Sequence, residues 1–343
     1  MARVIQRWYL LAAAVLLLPA LAPRPAGAIP AWMRGGVSAP YEESADDRHF
    51  QLFNRPSKKT PAEQWEYVQS LRKAGKTRAA AKQALGLRLF WPTSPEAPQA
   101  QWLYARLLEE RGHPTESFDA FQYMVDHYNG QFEFGELIEI QHRLAKKVMK
   151  TRVGHFLFIP GFKAPEKAIP LYEKIAENAP EDPRTAEALV NIGKANEFNY
   201  EYAKAIDAYF RALNRFPGTP AAEEAALRQA LCHVEIADDE PNDQRALATA
   251  RAACELYLRN HAASATAEDR ACMQENLDRL ADRQSRFDYN LGLYYEKTLK
   301  RPDSAIIAYQ TFLERHPGDS RAEEVRQRLA ALQAKTKKEP SHD

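Results

Sequence analysis

Between Ala186 and Pro217 the chain sets small and aromatic residues at fixed helical intervals: Gly193, Tyr202, Ala205, Tyr209 and Ala212, with Pro217 closing the run. A helix with alanine where leucine is expected must lie very close to a neighbour, with rings beside the crossing point. The same spacing returns along the chain. Ala80 and Pro92 hold equivalent positions in a unit starting near residue 61, which also has Gly75 at its fifteenth residue. Ala105 and Phe121 do so in the next, beside Tyr104 and a Gly112 that matches Gly75, and Ala168, Tyr172 and Pro180 after that. Gly292, Ala305, Tyr309 and Pro317 close the series, with one extra residue in the turn. The unit around residues 221–261 has a longer turn at Asp238–Asp243 and no closing proline. A single helical hairpin cannot bury its apolar face, so such units must stack.

The chain is therefore expected to be all-α, with five or six helical hairpins over residues 61–334. Low glycine (14 of 343 residues) and abundant Ala, Leu, Glu, Lys, Arg and Gln agree with that. No alternating strand run stands out. The spacing resembles the 34-residue tetratricopeptide pattern, two antiparallel helices with small residues where they cross. That resemblance implies a right-handed superhelix with a concave groove.

Residues 1–28 read as a secretory signal. Arg3 and Arg7 precede the apolar run Trp8–Ala22, and Ala26-Gly27-Ala28 fits a small-residue cleavage site. The apolar run is short for a membrane span. Residues 29–60 mix Pro, Gly and charge without a period and read as a flexible linker, and 335–343 as a disordered tail. The net charge is +1, from 47 basic and 46 acidic residues. That gives no electrostatic footprint of a nucleic-acid binder. Of the three cysteines, Cys232, Cys254 and Cys272, none lies near the cleavage site. An odd count is no full disulfide framework. One bridge between Cys232 and Cys254 stays open beside the simpler reading of buried thiols.

No motif of catalysis is present. HExxH, GxSxG, a Walker A loop and GxGxxG are all missing, and the nine histidines are scattered. Cys232-His233 has no second pair to make a zinc site. The chain reads as a binding protein rather than an enzyme, with no cofactor or metal.

The stretch Arg279–Leu332 carries a further likeness. Leu291, Gly292, Tyr294, Tyr295, Ala305, Tyr309, Phe312, Leu313, His316, Pro317, Gly318 and Ser320 follow the closing run of the outer-membrane assembly lipoprotein family BamD, also called YfiO or ComL. The resemblance implies a periplasmic, non-enzymatic scaffold, with peripheral outer-membrane association. By that likeness its partners are the β-barrel insertase, at the C-terminal repeats, and unfolded outer-membrane protein segments, at the N-terminal ones. The family's lipid-acceptor cysteine has no counterpart after residue 28. The alternative is another envelope tetratricopeptide adaptor, linked to Tol–Pal, peptidoglycan or cell division. A trimerising coiled coil would mark the Tol–Pal kind, and residues 29–60 show no heptads.

The tetratricopeptide likeness also implies which side chains line the groove. They are Trp65, Gln69 and Arg72 in the first unit, and Trp102, Arg106 and Glu109 in the second. Lys194 and Glu197 follow in the well-matched unit, and Tyr289 and Glu296 in the last. Rings flanked by Arg suit an extended peptide, with packing between hairpins as the plainer alternative for the tryptophans. A second candidate contact is the apolar insert Thr151–Phe162, with Phe156, Leu157, Phe158 and Phe162. An apolar loop in a polar array marks either a contact site or a local filling of the repeat.

Overall fold

The computed structural model describes residues 54–154 and 161–336. The signal, most of the linker, the tail and the insert residues Phe156, Leu157 and Phe158 lie outside the described residues. Among the described residues, thirteen α-helices run from Pro61 to Thr336. They pair into six antiparallel hairpins: α1 (Pro61–Lys73) with α2 (Thr77–Phe90), α3 (Ala97–Glu110) with α4 (Pro114–His127), α5 (Phe134–Lys150) with α6 (Ile169–Asn178), α7 (Pro183–Phe198) with α8 (Tyr202–Arg215), α9 (Pro220–Asp239) with α10 (Gln244–His261), and α11 (Ala267–Leu293) with α12 (Pro302–Arg315). The last helix, α13 (Ala322–Thr336), covers the open side of the sixth hairpin.

The helix starts are written locally. Thr60, Asp182 and Thr219 each accept a backbone N–H with their side chain, and a proline follows at the first helical position. Proline there sacrifices no bonded N–H and its φ is already helical. Between the helices of a hairpin one residue turns left-handed. It is Gly75 (φ 70°) and Gly112 (φ 80°) in the first two hairpins, but Tyr200 (φ 60°) and Lys300 (φ 51°) in the fourth and sixth.

The close crossings occur where the small residues were placed. A Cβ at Gly193 would fall inside the ring of Tyr209, and one at Gly292 inside that of Tyr309. Both tyrosines are fully buried. The extra residue in the last unit appears as a π-helical turn, Tyr294–Thr298, at the end of α11. It absorbs the insertion, so Ala305, Tyr309 and Phe312 still reach the core.

Two regions depart from a plain hairpin stack. The insert after α5 is closed at its base by a two-residue antiparallel ribbon, a small strand element that the periodicity does not reveal. Arg152 pairs with Lys163 and Val153 with Phe162, and Arg152 Nε donates to the Gly161 carbonyl at 2.6 Å. Phe162 is 65% exposed, so its ring does not fill the repeat beneath it. The expected linker is also held at its end. The Ser57 N–H donates to Gln64 Oε1 and Gln83 Oε1, both at 3.0 Å. The Asn54 carbonyl sits where a Cβ on Gly86 would stand. Residues 54–60 thus lie against the first hairpin instead of hanging free.

Candidate peptide-binding groove

The helices α1 and α3 face one another across a depression of about 670 Å³. Trp65, Gln69 and Arg72 come from successive turns of α1, and Trp102 and Arg106 from α3. Met124 of α4 and Phe132, in the connection to α5, complete the apolar lining. Trp102 and Trp65 are half-buried and pack on the core below. The Trp102 ring meets the fully buried Phe121 edge to face, at 5.1 Å and 81°. Each indole is therefore packed on the core and lines the depression. Tyr128 Oη donates to the Pro92 carbonyl at 2.9 Å and fixes the connection that carries Phe132.

A polar depression of about 590 Å³ adjoins it, sharing Arg106 and Glu136. Here Glu109 accepts from Arg106 at 3.1 Å and from Arg143 at 3.2 Å. This begins a seam of ion pairs that runs from each first helix to the next. Arg72 of α1 stands 3.8 Å from Glu110 of α3. Lys146 of α5 pairs with Glu187 of α7. Lys194 and Glu197 of α7 pair with Glu224 (2.6 Å) and Arg228 (2.8 Å) of α9. Asp238 of α9 takes Arg279 of α11 at 2.7 Å, and Glu296 takes Arg328 of α13 at 3.3 Å.

The seam shifts its acids. Burial pushes the Glu224 carboxyl up, but hydrogen bonds from Lys194 and Arg228 outweigh it and hold the group below the usual range. Glu197 also accepts from the Cys232 thiol at 3.2 Å. Burial, with that carboxylate beside it, pushes the thiol far up, so it stays protonated. All three cysteines are free; Cys232 and Cys254 are buried.

The expected groove residues fall into two groups. Trp65, Gln69, Arg72, Trp102 and Arg106 share one depression. Glu109 lies in the polar neighbour, held between two arginines. Lys194 and Glu197 join adjacent hairpins. Tyr289 donates to Glu324 at 2.9 Å and packs on Phe312, and Glu296 accepts from the buried Tyr309 hydroxyl at 2.6 Å. These four form joints within the stack, because each has an oppositely charged or aromatic neighbour on the next helix that the linear sequence does not align. Among the described residues no group of His, Cys, Asp or Glu is placed to hold a metal, and no helix is long and apolar enough to cross a membrane.

Comparison with known proteins agrees at the level of the repeat. Residues 68–131, which include most of the groove, match a tetratricopeptide-repeat family model, and residues 288–319 match a second one. The chain is 24% identical over 163 residues to the outer membrane protein assembly factor BamD of Caulobacter vibrioides. That match takes in 48% of this chain and about half, 52%, of the relative. Among solved structures it is similar to the C-terminal part of a TPR repeat-containing protein from Cytophaga hutchinsonii (16% identity, TM-score 0.32, 81% of this chain and 92% of that one). It is also similar to a tetratricopeptide repeat protein from Parabacteroides merdae (11% identity, TM-score 0.29, 80% and 98%).

Sequence reasoning missed the groove's far wall. Phe132, Glu133 and Glu136 come from the connection and first turn of α5, not from a first helix of the two hairpins. The signal was there to read: Phe132 and Phe134 follow the Gly130 turn with no apolar period to bury them.

Proposed function

We propose that this chain is a non-catalytic scaffold of the cell envelope that works as BamD does, in assembling outer-membrane β-barrel proteins. It receives extended, unfolded barrel segments in the groove between the first two hairpins and holds the barrel insertase through the last. It would operate in the periplasm, peripheral to the outer membrane. The observation that carries the reading is the pair Trp65 and Trp102. They occupy the same repeat position in consecutive hairpins and border one depression, with Arg72 and Arg106 along it. Anchored aromatic rings beside arginine supply apolar contact with little ordering cost, and arginine reaches the carbonyls or carboxylates of an extended chain. The last hairpin offers a separate apolar face. Phe287, Leu291 and Ile307 are exposed there, beside two depressions of about 330 and 780 Å³ that share Asp288, Leu291 and Arg315.

The test is recovery of the tagged protein from envelopes in mild detergent. A β-barrel insertase in stoichiometric amount supports the reading, and its loss on Leu291→Glu with Ile307→Glu supports the last hairpin as the contact. Recovery of a Tol–Pal or cell-wall component without the insertase overturns it in favour of another envelope adaptor.

A further inference from the structure

The base of the insert after α5 presents a basic surface with an aromatic ring on it. From Ile140 to Tyr172 the sequence holds seven lysines and arginines and one acid, Glu166, in a chain whose net charge is only +1. Arg143 and Lys146 are tied into the stack by Glu109 and Glu187, and Lys147 faces the polar depression and its acids. Lys150, Arg152, Lys163 and Lys167 are exposed, and among the described residues none has a carboxylate within ion-pair distance. Arg152 and Lys163 stand directly opposite each other in the ribbon. Like charges so placed destabilise a strand pair, and an anion beside both relieves the repulsion.

Phe162 is carried on the same ribbon and is 65% exposed. Its ring is nevertheless positioned. Gly154 has φ 74°, and a β-carbon there would stand 3.1 Å from Phe162 Cε1. The ring therefore lies against bare backbone, with most of its surface left in water. That exposure is unfavourable and nothing in the core offsets it, so the ring is matched to apolar material outside the chain. The residues that the ribbon brackets include Phe156, Leu157, Phe158 and Ile159 in sequence; they lie outside the described residues, and the surface rests on none of them.

We infer that Phe162 with Lys150, Arg152, Lys163 and Lys167 forms a contact for an anionic phospholipid surface. The ring enters the boundary between headgroups and acyl chains, and the four cations meet the phosphates with their methylene stems along that boundary. An acidic protein segment would answer the cations alone. The ring among them calls for an apolar phase just beneath the negative charge, and a lipid surface supplies both. The inference deepens the proposed placement beside a membrane and rests on that reading only for which membrane is met.

The experiment uses the protein from residue 29 onward, which keeps every described residue and omits the apolar run of the signal. Flotation with vesicles is read at low and moderate salt. The wild type is expected to bind vesicles of phosphatidylcholine with about 30% phosphatidylglycerol at least about tenfold tighter than pure phosphatidylcholine, and less tightly as salt rises. Lys150→Gln with Lys163→Gln and Lys167→Gln should lower that affinity by about thirtyfold and flatten the salt dependence. Arg152 is kept, because its Nε holds the Gly161 carbonyl. Phe162→Ser should lose about tenfold at every salt concentration. Both variants should keep Tm within about 2 °C, since the altered side chains are exposed. Trp65→Ala with Trp102→Ala should leave vesicle binding unchanged. Equal binding to the two vesicles overturns the inference, as does full affinity in either insert variant or a loss through the tryptophans. A polyglutamate peptide bound as tightly as the vesicles, and equally by Phe162→Ser, assigns the surface to an acidic protein and likewise overturns it. The vesicles hold no protein, so failure here leaves recovery of the insertase standing, and failure to recover the insertase leaves vesicle binding standing.

Discussion

The first-helix face of this stack has two characters. Between α1 and α3 it is an apolar depression with two anchored indoles, and its ion pair, Arg72 with Glu110, is long and half exposed. From α3 onward it is laced, with each first helix tied to the next by at least one carboxylate–cation pair of 3.3 Å or less. The same repeat position supplies both. Gln69 and Arg106 in the first two hairpins and Lys194 in the fourth stand at one repeat position, and what it does depends on the helix opposite. Paired charge fixes the angle between hairpins and leaves little to offer a ligand. Unpaired aromatic edges give little rigidity and leave contact area free.

The largest effect should come from emptying the groove. Trp65→Ala with Trp102→Ala is expected to weaken capture of an unfolded barrel peptide by about 100-fold, or ~2.7 kcal/mol, read by anisotropy. Lys194→Ala in the seam should leave that affinity within about twofold. Equal losses from both would abolish the distinction between the two regions.

A comparable effect, on stability alone, is expected at a crossing. Gly193→Ala drives a methyl into the Tyr209 ring, which is fully buried and has no room to withdraw. The cost should be about 2–3 kcal/mol by urea unfolding. The same change at Gly135, which meets nothing within 4 Å, should be nearly silent.

These crossings were legible in the sequence because they are local: the Gly, Ala and Tyr positions of one unit meet within that unit. The helical hairpins, five or six of them, and the small residues at their crossings follow from that periodicity alone. The placement of the candidate groove residues was legible only by half. Trp65 and Trp102 could be placed because their repeat position is internal to a first helix. Tyr289 holds that position in the last hairpin, and Lys194, Glu197 and Glu296 the positions of Arg106 and Glu109, yet Glu224, Arg228, Glu324 and Arg328 engage them from some 30 residues away. No periodicity says which opposite residue will answer a charge. The π-helical turn at Tyr294–Thr298 is a further case. The sequence showed one residue too many, but only the structure shows that helix α11 takes it in and the turn does not lengthen.

Next in size is removal of an interior seam carboxylate. Glu197→Ala leaves Arg228, which is one-third exposed, with Glu224 as its one remaining carboxylate, and deprives the buried Cys232 thiol of its acceptor. About 1–2 kcal/mol should be lost. Gln at this position keeps an acceptor for the thiol and should recover part of it.

Acid should expose the seam as a smaller, graded effect. Glu224 titrates below its ordinary value of 4.5 in the folded chain. A carboxyl so depressed contributes stability that is complete above the unfolded value and is lost as pH falls through the folded one. Wild-type stability should therefore drop as pH is lowered from about 5 through the carboxylate range. Glu224→Gln should start lower and fall less steeply in urea titrations at successive pH values. Parallel slopes would mean that the pair with Lys194 and Arg228 adds nothing beyond its geometry.

The smallest effect is expected where the seam reaches the groove. Arg72 stands 3.8 Å from Glu110, and both side chains are about half exposed. Exposed pairs at that length contribute little, because water screens the charges and two long side chains lose freedom in holding one geometry. Arg72→Ala should alter stability by about 0.5 kcal/mol or less, a change best resolved against Glu110→Ala in a double-mutant cycle. If Arg72 acts instead on a bound chain, its truncation should weaken peptide capture by several-fold at low salt and by less as salt rises. A coupling above about 1 kcal/mol between Arg72 and Glu110 would extend the laced seam into the groove, and the boundary between the two regions would then lie before α1 and not between α1 and α3.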